Sequence, residues 1–225
     1  QTVPAGSLVK VDLGVHVDGY IADTAQTVCF NPEYEDLVTT AEEALQTGIK
    51  TIRAGMFTSR FGSTVQKVIE SHGLKPIANL TGHQVGRYMI HVGRSLPNVS
   101  HLSASRVNAG EVYAIEPFVT LKNAAGKVES GRDAHIFRFM KQKSLKNEHA
   151  KKLCDYIAQN FHTLPFAERW LQKVTSPDRY KAAISELLSS KTLMAYPVFI
   201  EASGKPVAQA EHTVLVTRDG CEVLT

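Results

Sequence analysis

At 225 residues, with 43% hydrophobic and 21% charged side chains, the chain is long enough for one domain, or one domain with an insertion, and its composition excludes a disordered tract. A formal net charge of +3 requires no nucleic-acid partner, and no apolar run approaches the roughly 18 residues that cross a bilayer, so no membrane partner is expected. The three cysteines, Cys29, Cys154 and Cys221, lie far apart with no CxxC pair; this argues against a disulfide framework or a zinc knuckle and suits a reducing, cytoplasmic compartment.

The first element is a hairpin. Two β-prone runs, LVKVDLGVHV and YIADTAQTVCF, flank Asp18-Gly19, the dipeptide that favours a type I′ turn. A two-residue loop puts Asp12 opposite Ala25 and Asp23 opposite Gly14, with all four side chains on one face. Asp12 and Asp23 are then diagonal neighbours, about 7 Å apart or less at Cβ. Carboxylates that close repel unless a cation lies between them or one is protonated. Gly14 leaves space for such a cation. The plainer alternative is two solvated carboxylates on an exposed sheet face.

Two amphipathic helices follow. One begins near Glu35 and ends at Gly55, with Leu37, Val38, Ala41, Ala44, Leu45, Ile49 and Ile52 at three- and four-residue spacing; the other runs from about Thr58 to His72, with Phe61, Val65, Val68 and Ile69 on one face and Gly73 as its stop signal. Both read as scaffold. From Pro76 to Asn98 the composition shifts, and Gly82, Gly86 and Gly93 interleave with His83 and His91. Glycine lets backbone approach a site closely, and neutral imidazole is a common metal ligand or proton carrier, although one such histidine by itself is more often structural.

Val112 to Val119 reads as a buried strand carrying Glu116, a residue type rarely buried unless paired or coordinated; the alternative is a surface-facing Glu on an edge strand beside Pro117. Residues 124–143 hold turn residues and a short apolar alternation in which His135 is ambiguous. Residues 145–194 read as a mostly helical insertion with Leu153, Ile157, Phe161, Trp170, Leu171, Ile184, Leu187 and Leu188 as its apolar positions and a helix start at Ser176-Pro177. Two closing strands, Tyr196 to Ala202 and Ala208 to Val216, are joined by Ser203-Gly204-Lys205-Pro206, and Glu211 opens the apolar run of the second.

Asp12, Asp23, His83, Glu116 and Glu211 thus stand on separate strands or glycine-rich segments. A mostly oxygen set with one nitrogen suits Mn²⁺, Fe²⁺, Co²⁺ or Zn²⁺. Two ions about 3.5–4 Å apart need bridging carboxylates, and this set contains enough of them.

In this order the motifs VDLG-x₈-D, TGHQVG, YMIHVG, YAIEPF and AEHTVLV resemble the methionine aminopeptidases, and FHTLPFAERWL is similar to their type II, archaeal-like branch. The resemblance covers essentially the whole chain. It implies an α+β pita-bread fold (creatinase/aminopeptidase-like), with a pseudo-twofold antiparallel sheet and helices on its outer face. Residues 1–144 and 195–225 would form the catalytic domain and 145–194 the helical insertion. It further implies removal of initiator methionine from nascent polypeptides whose second residue is small, in the cytoplasm, by a monomer. Asp12 would bind one metal, Asp23 and Glu211 would bridge two, and His83 and Glu116 would bind the other. A bridging water or hydroxide would attack the scissile carbonyl, Glu116 would shuttle the proton to the leaving amine, and His91 would position the substrate. Ile90, His135 and Tyr196 would belong to the methionine pocket. The family also carries an upstream segment with a further active-site histidine, whereas this sequence begins QTVPAGSLVK. The expectation is therefore association with a missing N-terminal segment or second chain, without which the chain is unstable or inactive. Two other readings are an X-Pro aminopeptidase or prolidase on the same scaffold, and a non-catalytic pita-bread protein that binds partners.

Overall fold

The computed structural model describes residues 2–171 and 173–225 and divides into two compact units. The first comprises residues up to 129 together with 200–225, and the second comprises 130–199. The flanks 130–144 and 195–199 therefore go with the helical segment. Each unit has its own apolar core.

In the first unit, β1 (Leu8–Val17) and β2 (Tyr20–Cys29) form the expected hairpin, with Asp12 opposite Ala25 and Gly14 opposite Asp23. Asp18 and Gly19 both adopt positive φ, 51° and 85°, as a type I′ turn requires. β1 pairs with β2 in a two-stranded sheet, and its outward apolar side chains Val11, Leu13, Val15 and Val17 are exposed. The hairpin tip is clasped by the turn at Arg87-Tyr88. Arg87 Nε donates to the Asp18 carbonyl at 2.8 Å, the Tyr88 amide donates to the Gly19 carbonyl at 2.8 Å, and the Arg87 guanidinium stands 5.3 Å from the Tyr20 ring.

Helices α1 (Glu35–Thr51) and α2 (Thr58–Ser71) follow, with Gly73 in the left-handed conformation just beyond α2. Leu37, Ala41, Ala44 and Leu45 of α1 and Phe61, Val65 and Ile69 of α2 are buried in one cluster with Tyr113, Ile115, Val119, Val214 and Val216. The strands that complete this unit are β3 (Lys75–Pro76), β4 (Thr81–Gly86), β5 (Met89–Pro97), β6 (Val112–Ile115) and β7 (Phe118–Thr120).

The single strand expected over Val112 to Val119 is two strands, β6 and β7, interrupted at Glu116-Pro117. Proline has no N–H to donate to a ladder and biases the residue before it to extended backbone, so pairing stops there. The expected strand Ala208 to Val216 is likewise broken at Ala210-Glu211. The two broken strands lie side by side and antiparallel: β6 pairs with the downstream half (His212 opposite Ile115), and β7 pairs with the upstream half (Gln209 opposite Phe118). Each interruption carries a glutamate.

β8 (Val128–Phe139) enters the second unit, where α3 (Glu148–Asn160), β9 (Pro165–Ala167), α4 (Pro177–Ser189) and β10 (Leu193–Glu201) follow, with strand order β10-β8-β9. Asn147 caps α3 by accepting from the amides of His149 and Ala150, and Pro177 follows Ser176 at the start of α4. Leu153, Ile157, Phe166, Leu171, Ala183 and Leu187 form the core. Of the expected apolar positions, Trp170 is half exposed; it lies on a 3-10 turn, Glu168–Leu171, whose buried residue is Leu171. Back in the first unit, β11 (Val207–Gln209), β12 (His212–Val216) and β13 (Cys221–Val223) complete the sheets, one with order β13-β12-β6-β4-β5 and one with order β11-β7-β3. Among the described residues, no helix is long and apolar enough to cross a membrane.

Gly82 shows how backbone contact places a site residue. A Cβ built there would collide with the Ala114 carbonyl oxygen of β6, so only glycine lets β4 lie against β6 and present His83 opposite Ala114. Gly82→Ala is expected to cost about 1–3 kcal/mol, because the obstacle is backbone and cannot swing aside. A thermal melt of the purified variant checks this, and an unchanged Tm would mean that the strands part without penalty.

Candidate metal centre

The first unit gathers Asp23, His83 and Glu211 in its interior, all three buried, with one ligand atom of each lying within 4.8 Å of the others. His83 Nε2 stands 3.7 Å from Asp23 Oδ2 and 3.3 Å from Glu116 Oε1. The Glu116 side chain is 12% exposed, so it is a nearly buried carboxylate and not a surface one. Asp12 joins from the open edge strand: its Oδ2 and Glu116 Oε2 each accept from Gln209 Nε2 at 3.3 Å.

Backbone stitching fixes the two arms of this cluster. The Thr213 hydroxyl accepts from the Asp23 amide at 2.8 Å and donates to the Asp23 carbonyl at 2.7 Å. The Thr27 hydroxyl does the same for Gln209, at 2.8 and 2.7 Å. Between these stitches Ala25 and Glu211 exchange main-chain hydrogen bonds, so β2 crosses the break between β11 and β12. Register therefore converts residues nearly two hundred positions apart into neighbours.

Electrostatically the cluster is unbalanced. Burial raises the Asp23 carboxyl to about 7, with Asp12 adding to the shift. Burial, then Asp23 and Asp12, push Glu211 up to about 9. Glu116 is raised well above its ordinary value by burial and by Glu211, Asp23 and Asp12 in turn. Burial also raises Asp12, against the opposing hydrogen bond from Gln209 and the charge of Lys10. His83 is lowered to about 3, first by burial and then by His91, so it is neutral with a lone pair to offer. Three buried or nearly buried carboxyls, Asp12 from the exposed strand beside them and a neutral imidazole fit a divalent cation, which would relieve the repulsion that otherwise keeps protons on these groups.

The structure thus brings together all five residues singled out for metal binding. His91 stacks obliquely on His83, with ring centroids 4.2 Å apart, and is itself exposed. Ile90 is buried in the same unit. His135 and Tyr196 belong to the second unit. His135 is exposed, with Nδ1 3.4 Å from Glu168 Oε2, and Tyr196 is half-buried on β10. Gln209 is a member of the cluster that sequence reasoning passes over. The alternation that places it on the same side of the chain as Glu211 was the available signal, but a lone glutamine carries no charge pattern to draw attention.

The sequence model of Metallopeptidase family M24 matches residues 1–218. The methionine aminopeptidase of Methanothermobacter thermautotrophicus is 42% identical over 98% of this chain and 74% of its own length. That of Methanocaldococcus jannaschii is 43% identical over 97% of this chain and 72% of its own length. The chain thus spans about three quarters of these relatives. Among solved structures, a thermophilic Arx1 superposes with a TM-score of 0.79 at 19% identity, covering 99% of this chain and 68% of the other. A methionine aminopeptidase from Thermotoga maritima superposes at 0.64 and 21% identity, covering 98% and 64% respectively. Prolidase from Pyrococcus furiosus superposes at 0.55 and 16% identity, covering 99% and 42%. At these identities the structural likenesses establish the fold shared by these proteins, the α+β pita-bread architecture. With a family match along nearly its whole length and relatives above 40% identity over nearly all of it, the chain belongs to Metallopeptidase family M24.

Proposed function

We propose that this chain is a metal-dependent methionyl aminopeptidase that removes the initiator methionine from polypeptides with a small second residue. The observation that carries the reading is the convergence of Asp23, His83 and Glu211 within ligand distance of one another, in a chain 42% identical to a methionine aminopeptidase. Asp23 and Glu211 would bridge two divalent ions, Co²⁺, Mn²⁺, Fe²⁺ or Zn²⁺, with Asp12 on one and His83 and Glu116 on the other. Ions held there supply Lewis acidity and a water nucleophile active at neutral pH.

The chain's own side chains account for the rest. His91, exposed and with its ring 4.2 Å from that of His83, would position the substrate by donating to the carbonyl oxygen of the bond being cut. Glu116, nearly buried and 3.3 Å from His83 Nε2, would shuttle the proton to the leaving amine. Ile90, buried in the first unit, would offer an apolar wall to the methionine side chain. The substrate is a polypeptide N-terminus, and a nascent-chain substrate places the reaction in the cytoplasm.

The test is release of free methionine from Met-Ala-Ser with and without added Co²⁺ or Mn²⁺, beside an Ala-Pro peptide. Metal-dependent cleavage of Met-Ala-Ser alone is expected. Cleavage of the Ala-Pro bond alone would move the assignment to X-Pro peptidases, and cleavage of neither would mean that a further segment is essential or that the metals bind without chemistry.

A further inference from the structure

Gln209 occupies a position that none of the proposed ligand roles uses. It is buried, and its amide nitrogen lies 3.3 Å from Asp12 Oδ2, 3.3 Å from Glu116 Oε2 and 3.4 Å from Glu211 Oε2. One nitrogen thus faces three carboxylates from three separate stretches of chain: β1, the break between β6 and β7, and the break between β11 and β12. The opposite amide orientation would turn the carbonyl oxygen toward the same three acceptors, so the surroundings dictate which end points inward. An amide nitrogen has only two hydrogens, and the three contacts are at the long end of the hydrogen-bond range, so the donors are shared among the carboxylates. The main chain of Gln209 cannot drift to favour one of them, because Thr27 holds both its N–H and its carbonyl and β11 pairs it opposite Phe118.

We infer that Gln209 is a positioning residue for the metal centre: its neutral amide gathers Asp12, Glu116 and Glu211 into one arrangement before a cation arrives. The inference rests on the metal-binding reading of the cluster. A neutral donor suits this task. It offsets mutual repulsion of the carboxylates without adding a charge, and it spares an incoming cation the work of ordering three independent side chains. Asp12 depends on it most, because β1 is exposed along this stretch and the amide is a fixed protein donor that reaches its carboxylate.

The experiment is calorimetric titration of Co²⁺ into the metal-free full chain and its Gln209→Met variant, which keeps length and volume and loses both donors. The visible absorption of the bound Co²⁺ is followed in parallel. The variant is expected to bind Co²⁺ about 10–100-fold more weakly, with an altered absorption band. Affinity within twofold of wild type and an unchanged band would overturn the inference, leaving Gln209 a packing residue. A second measurement needs no variant. In ¹⁵N-labelled wild-type protein the side-chain amide resonances of Gln209 should move as Zn²⁺ is added, in step with site filling, and resonances that stay in place would refute a positioning role. Absence of any Co²⁺ binding by the wild type would overturn the metal reading, and this inference with it. Wild-type binding with an indifferent variant overturns this inference alone.

Discussion

Asp23→Asn is expected to abolish metal-dependent methionine release while making the metal-free protein more stable above neutral pH. Both effects come from one carboxylate. Asp23 is buried, its Oδ2 stands 3.7 Å from His83 Nε2, and it belongs to the group whose ligand atoms lie within 4.8 Å of each other. An amide in its place is nearly isosteric but cannot bridge two cations, and the loss of several kcal/mol of transition-state stabilisation corresponds to about a thousandfold or more in rate. The same replacement removes a negative charge from beside Asp12, Glu116 and Glu211; burial raises all three carboxyls, and neighbouring carboxylates add to the shifts of Glu116 and Glu211. Turnover with Met-Ala-Ser and a melt of chelator-treated protein at pH 8 would read out the two effects. A variant as active as wild type would remove Asp23 from the centre. A variant that is inactive and also less stable would mean that Asp23 serves the fold and not a cation.

The second large effect is a stability profile that runs opposite to ordinary acid denaturation. A carboxyl whose folded value is raised binds more protons folded than unfolded, so its contribution is present at low pH and is lost as pH rises through the folded value. For Asp23 that loss extends to about 7 and for Glu211 to about 9, with Glu116 shifted in the same direction. His83 opposes this only at lower pH. Its value is lowered to about 3, so its stabilisation is complete above its ordinary value near 6.5 and is lost as pH falls toward 3. Between pH 7 and 9 the carboxyls therefore act unopposed by His83. The metal-free chain should lose stability by about 1 kcal/mol per pH unit for each group still titrating. A divalent cation should reverse the trend, because it binds the ionised folded form and its affinity grows as the ligands lose protons. Melts at pH 7, 8 and 9, with chelator or with Mn²⁺, should show a gap in Tm that widens with pH. A metal-free Tm that stays level or rises over that range would remove the electrostatic basis for the centre.

Much of this was legible before any coordinates. The Asp18-Gly19 turn demands positive φ at two successive residues, which few dipeptides tolerate. Once that turn is granted, period-two geometry puts Asp12 and Asp23 on one face. The helices α1 and α2 were readable for a similar reason, since a stripe of apolar residues every three or four positions marks the face of a helix turned to a core. These are local constraints, carried by residues a few positions apart.

Other features depended on contacts between distant segments. Val112 to Val119 looked continuous because its apolar composition does not reveal that β6 and β7 serve different sheets. Glu116 faces the cluster because pairing stops at Pro117, and its partner break at Glu211 lies alongside only through the β6-β12 and β7-β11 registers. Gln209 was invisible for the same reason. An uncharged side chain acquires meaning only when Thr27, 182 positions earlier, anchors its main chain and three carboxylates from elsewhere close around its amide. Turn chemistry and hydrophobic period follow from bonded neighbours and can be read along the chain. The gathering of like charges cannot, because their repulsion is overcome by the packing and backbone pairing of the whole first unit, which no local stretch contains.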